Sequence, residues 1–239
     1  MKPLIKISLI IILVLPTFIF TSCIKDELTL PTEVNFKFGI EPHEQEEDGL
    51  KSNYPSTNSV IINNGTLTID AIEFDGKRNE GKDVFFISNF SEIIIANLES
   101  QTTNRSVRFD VPQGIYNQVD ITLHLTDRHS SLILEGNVSV ASQGQRKVRF
   151  EYNYSDIVRV RATSNNDQSI VLKKDTRTTV NVIVDAGFLF RFINPNAIAN
   201  GDIVNNNGQD LILINEINNI NLYNQLASRI DNSFKIVFE

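Results

Sequence analysis

The sequence is short of the residues on which most enzyme chemistry depends. It has one cysteine in 239 residues, Cys23. An internal disulfide is therefore impossible, and so is a zinc site built on two thiolates. Only three histidines are present, His43, His124 and His129, which leaves little material for metal ligation or proton transfer. There is no excess of base: 22 Lys and Arg stand against 29 Asp and Glu, a net charge of −7. That balance argues against non-specific binding to nucleic acid or to anionic lipid, both of which attract basic surfaces. No Gly-x-Ser-x-Gly elbow, phosphate-cradling glycine loop, dinucleotide fingerprint or His-Glu-x-x-His sequence occurs. Fixed-period repeats, low-complexity tracts and Pro/Gly/Ser linkers are missing too, so nothing divides the chain after its leader.

The leader is the first thing that is there. Lys2 and Lys6 form a short basic region, and Ile7 to Phe20 is nearly all apolar. A run of about 14 residues falls short of the roughly 20 that span a bilayer, but suits the apolar core of a secretory signal peptide. It ends in Phe20-Thr21-Ser22-Cys23, with small residues directly before the lone cysteine. This resembles the bacterial lipobox. The resemblance implies cleavage between Ser22 and Cys23 and acylation of Cys23, hence a membrane partner reached through a lipid anchor. Several acyl chains hold stably where one is marginal. Removing residues 1–22 leaves 217 and takes away Lys2 and Lys6 but no acid, so the net charge falls to −9. Directly behind the cysteine, Lys25-Asp26-Glu27 resembles the export signal of Bacteroidota lipoproteins. In that group a lysine followed by two acids directs the protein to the outer face of the outer membrane.

Residues 23–32 read as a lipidated tether and residues 33–239 as one domain. Val34-Asn35-Phe36-Lys37-Phe38 alternates apolar and polar residues and opens the first strand. Glu41 to Pro55 is acidic and lacks periodicity, so an exposed loop containing His43 is expected. Val60-Ile61-Ile62 runs into Asn63-Asn64-Gly65, a turn signal, and Asp75-Gly76 is another. Between them the alternation slips by one near Ala71, which predicts a β-bulge. Val84 to Ile87 and Ile93 to Ile95 are apolar runs expected to be buried. Val119, Ile121, Leu123 and Leu125 alternate with Asp120, Thr122, His124 and Thr126, the pattern of a half-buried antiparallel strand with His124 on its polar side. Val158-Val160 carries Arg159 and Arg161 on its other face, and Val180-Val182-Val184 and Phe188-Phe190-Phe192 both show period two. Leu222, Tyr223, Leu226, Ala227 and Ile230 form an amphipathic stripe, with Asn219 or Asn221 as its cap.

The expectation is an all-β fold: an antiparallel β-sandwich with one short C-terminal helix. Phe109-Asp110-Val111-Pro112-Gln113-Gly114-Ile115-Tyr116 resembles a hairpin of prealbumin-like domains and of DUF4382-type lipoproteins. That resemblance implies a prealbumin-like or fimbrillin-like sandwich and brings no catalytic residue with it. Ser130 beside His129, or Ser131 near His124, could be imagined as a nucleophile and base, but neighbours along a chain seldom reach that geometry. Gly201 to Asp210 is oxygen-rich like a calcium loop. It has no Glu in the twelfth position when Gly208 is sixth, so an Asn/Gly turn is expected. No cofactor and no nucleic-acid partner is implied. The expected function is a non-enzymatic, lipid-anchored surface module that binds an extracellular glycan or protein. The alternatives are a periplasm-facing envelope accessory and a secreted hydrolase, and a cleft with two convergent carboxylates would favour the latter.

Overall fold

The computed structural model of the chain describes residues 29–46, 59–140, 144–165, 169–206 and 208–239. Ser22, Cys23, Lys25, Asp26 and Glu27 lie outside these residues, as does most of the acidic stretch before Pro55. In chain order the strands begin with β1 (Pro31–Glu41), β2 (His43–Glu46), β3 (Ser59–Arg78), β4 (Val84–Asn97), β5 (Thr102–Thr103) and β6 (Val107–Pro112). They continue with β7 (Gly114–Leu125), β8 (Leu132–Val140), β9 (Gly144–Tyr152), β10 (Asp156–Arg161), β11 (Thr163–Ser164) and β12 (Ile170–Leu172). The last four are β13 (Thr178–Asp185), β14 (Ile203–Asn206), β15 (Gln209–Ile214) and β16 (Phe234–Phe238).

Two sheets divide these strands. The smaller has the order β11-β16-β13-β1-β6, and the larger runs β10-β7-β3-β8-β9-β15-β14 with β2, β4 and β12 paired onto it. Period-two patterning explains why they face each other. Val34, Phe36 and Phe38 of β1, with Val180, Val182 and Val184 of β13, are buried on one side. Ile72 and Phe74 of β3, with Val119, Ile121 and Leu123 of β7, are buried on the other. Each sheet thus hides one face and wets the other, the arrangement of a sandwich. A relay of rings joins the layers: Phe36 to Phe109 at 5.4 Å, Phe109 to Phe86 at 5.6 Å, Phe86 to Phe74 at 5.4 Å and Phe74 to Tyr116 at 5.8 Å. Most pairings are antiparallel, but β1–β13, β11–β16 and β9–β15 run parallel.

The all-β sandwich and its C-terminal helix, α3 (Ile220–Ala227), match the expectation. Two shorter helices precede it, α1 (Ala186–Phe190) and α2 (Pro195–Ala199). The period-two reading of Phe188-Phe190-Phe192 is thereby corrected. Asp185 ends β13 and its Oδ1 accepts the Phe188 N–H at 2.7 Å, starting a helix where the phenylalanines alone suggested a strand. Asn194 caps α2 in the same way, accepting the Asn196 N–H at 2.7 Å ahead of Pro195.

Four further expectations change. Asn63-Asn64-Gly65 and Asp75-Gly76 do not turn; β3 runs through both for 20 residues. The first becomes a register shift against β8, between Ile62 and Asn64. The expected bulge is present, since both neighbours of β3 slip between Ile69 and Ala71. Pro112-Gln113-Gly114 is not a hairpin turn: β6 pairs with β1 and β7 with β3 and β10, so the segment carries the chain from one sheet to the other. Gly114 takes φ +146° there, and the buried Tyr116 hydroxyl donates to the Pro112 carbonyl at 2.6 Å, fastening the corner. His43 leaves the expected loop altogether. It sits in β2 against β3, buried and stacked on Phe190 at 5.9 Å. The strands begin two residues ahead of the expected domain start at residue 33: β1 opens at Pro31, and Leu30 accepts the Gln113 N–H at 2.9 Å.

Candidate binding face

The outer face of the large sheet carries the richest polar chemistry among the described residues. It is built on β10, β7, β3 and β4, side by side. Register places Arg159, Thr122, Glu73 and Ile87 in one row across the four strands. The next row holds Arg161, Asp120, Asp75 and Phe85. A row on the other side begins Ile157, His124, Ala71.

Asp120 is the centre of this face. Its side chain is 5% exposed, and three donors converge on it. Arg161 Nε makes a short ion pair with Oδ1, while Arg159 Nη2 and Gln118 Nε2 reach Oδ2 at 2.9 and 3.0 Å. Asp75 faces Asp120 directly across the strand pair, which would be repulsive alone. Arg159 Nη2 resolves this by bridging both, 3.0 Å from Asp75. Burial pushes the Asp120 carboxyl up, but the bonds from Arg161, Gln118 and Arg159 outweigh it and hold the group below its ordinary value. One strand-step away, His124 Nε2 lies 2.7 Å from Glu73 Oε1, so His124 is a half-buried partner rather than a free exposed histidine.

Around the charged centre, large apolar side chains stand in water. Phe85 is 66% exposed and Ile157 is 61% exposed, and Ile87, Ile115 and Val171 join them. This corrects the expectation that Val84 to Ile87 is a buried run. Strand alternation sends Phe86 into the ring relay and leaves Phe85 and Ile87 outside.

The remaining candidates are not brought together. Ser131 is buried, donating to the carbonyls of Thr126 at 3.2 Å and Tyr154 at 2.5 Å, and His124 is engaged with Glu73. Within the expected oxygen-rich segment, Ile203–Asn206 pairs with residues 209–212 as β14 against β15, and Asn205 Oδ1 accepts the Gly208 N–H at 3.0 Å. Among the described residues, no three His, Cys, Asp or Glu side chains are grouped as a metal site requires. No described helix is long and apolar enough to cross a membrane. Asp75 and Asp120 are two convergent carboxylates, and Arg159 Nη2 bridges them at 3.0 and 2.9 Å. What the face offers is a surface for recognition: an arginine–carboxylate strip bordered by exposed Phe85 and several aliphatic side chains has the arginine and aromatic content enriched in protein interfaces.

Arg159, Arg161 and Asp120 were each legible as polar positions on alternating strands. Their convergence was not, because it depends on the β10–β7 register. No family model, no curated protein and no solved structure matches the chain.

Proposed function

We propose that the protein is a lipoprotein held by an acylated Cys23 at the outer face of an outer membrane. There it works as a non-enzymatic binding module whose open sheet face docks a protein partner. The observation that supports this reading best is the face itself: exposed Phe85, Ile87 and Ile157 bordering an arginine–carboxylate centre. Apolar side chains of that size on one flat surface mark interaction sites, and arginine and aromatic residues carry most interface energy. The lipobox and the Lys25-Asp26-Glu27 tether support the location. Lys25-Asp26-Glu27 also favours surface display over a periplasm-facing role.

The test is a photo-crosslinking amino acid placed at position 85 or 157 in the living cell. The reading expects a discrete crosslinked protein band that disappears when Ile87→Asp is added. Crosslinks to nothing but lipid, or a band indifferent to Ile87→Asp, would count against the face as the docking surface.

A further inference from the structure

We propose that a groove beside the β14–β15 hairpin and α3, on the half of the domain away from the tether, binds a neutral glycan. The inference rests on the proposed function only in taking the protein to be a binding module outside the cell. The groove has a volume of about 460 Å³, within the range of small-ligand sites. Its polar lining is Asn200, Asp202, Asn219, Asn221 and Gln225, and Ile217 and Ile220 form an aliphatic ledge.

The floor is built rather than incidental. Asn219 holds a left-handed backbone at φ +55°, and its side chain does not cap α3 as the sequence suggested. Instead its Nδ2 donates to the Leu213 carbonyl at 2.7 Å and the Asp202 carbonyl at 3.0 Å, while its Oδ1 accepts the Asp202 N–H at 2.7 Å. One amide therefore ties the segment leading into β14 to the loop leading into α3. Gly201 completes the fit, since a Cβ there would come within 2.7 Å of Asn219 Oδ1. The loop above is fixed as well: Asn215 Oδ1 accepts the N–H groups of Ile217 at 3.0 Å and Asn218 at 2.7 Å. Ile217 is consequently held out on a braced loop, 80% exposed. Folding gains nothing from an isoleucine in that position, whereas a ligand with an apolar face does.

The chemistry of the lining selects the ligand class. A primary amide both donates and accepts, which is what a sugar hydroxyl also does. Asn219 is spent on the floor, which leaves the amides of Asn200, Asn221 and Gln225 and the carboxylate of Asp202; with no Lys, Arg or His, the lining offers no cation to a phosphate, sulfate or uronate. The aliphatic ledge suits the C–H face of a sugar ring. Position agrees: Leu30 is bound at Gln113, beside the Arg78 end of β3, because Arg78 Nη1 donates to Gln113 O at 3.2 Å. The groove's strand β15 instead joins β9 and β8, which flank the opposite half of β3 from Ser59 to Leu67.

The test is native affinity electrophoresis of the protein as its host makes it, purified in neutral detergent. Gels contain α-mannan, β-1,3-glucan or galactan, with polygalacturonate as the anionic comparison. The proposal expects retardation in at least one neutral gel that added salt does not abolish. Asn221→Ala with Gln225→Ala should weaken it about tenfold, equivalent to one or two lost hydrogen bonds. Ile217→Asp should weaken it as well, and Phe85→Asp on the other face should not. All four positions are exposed, and melting curves matching wild type establish that the variants fold. Retardation in no neutral gel, retardation by polygalacturonate alone, or retardation unmoved by the groove variants would overturn the proposal. None of these outcomes depends on the crosslinking at position 85 or on where the protein sits in the cell, so the two readings fail separately.

Discussion

Replacing Arg159 and Arg161 together by alanine strips the cations from a nearly buried carboxylate. Asp120 is then left with Gln118 alone and with Asp75 directly opposite. Hydrogen bonds to a charged group contribute about 1.5–3 kcal/mol each. Both arginines are more than half exposed, so solvent screening discounts that figure. A loss of about 2–3 kcal/mol at neutral pH is expected for the pair, or about 4–12 °C in Tm for a domain of this size. The pH dependence is the sharper signature. Asp120 is held below its ordinary value of 3.8, so its stabilisation is present above that value and lost as pH falls through the lower folded value. In the double variant only Gln118 opposes burial, the folded value rises, and the carboxyl costs stability for as long as it is charged. Urea melts from pH 7 down to about pH 3 should therefore show the gap between variant and wild type closing as acid neutralises Asp120. A gap as wide at pH 3 as at pH 7 would refute the electrostatic account and assign the loss to packing of the arginine stems.

Other positions give independent checks. Tyr116→Phe should lower stability by about 1 kcal/mol in urea melts, because the half-buried Pro112 carbonyl loses its donor at the corner between the sheets. Gly136→Ala should cost at least about 3 kcal/mol or prevent soluble expression, since a Cβ there would lie 1.8 Å from the Ile61 carbonyl oxygen. His43→Ala should cost about 1–2 kcal/mol by thermal melt, as expected for a buried ring stacked on Phe190 and not for a residue in a solvated acidic loop. Phe85→Asp should leave Tm within about the equivalent of 0.5 kcal/mol of wild type while removing the crosslinked partner.

Strand identity was legible wherever one face of the sheet is wet. Val180 to Val184 alternate because burial alternates, whereas Val119 to Leu125 alternate in polarity although Asp120 and Thr122 are buried as well, and the bulge at Ala71 showed as a slip in the alternation. Punctuation was less faithful. Asn63-Asn64-Gly65 carries turn residues, yet the neighbouring ladders of β8 and β2 keep the chain extended, and Gly65 is there because the Ile133 carbonyl lies where a Cβ would go. Phe188-Phe190-Phe192 has strand periodicity, but one cap at Asp185 outweighs it locally. The binding face resisted sequence reading for a different reason. Its members come from four strands spread over residues 71 to 161, and only register decides that Arg161 meets Asp120 while Phe85 stays in water. Likewise, Asn219 was visible as a capping residue, but its bonds to Asp202 and Leu213 span connections that no local pattern specifies.

Surface display is the claim on which the functional account turns. It is tested most directly by adding protease to intact cells that carry the wild-type protein or Asp26→Ala with Glu27→Ala. The account predicts that the wild-type domain is digested while the variant, retained inside, is protected. Protection of both would contradict it and move the search for partners to the inner side of the envelope.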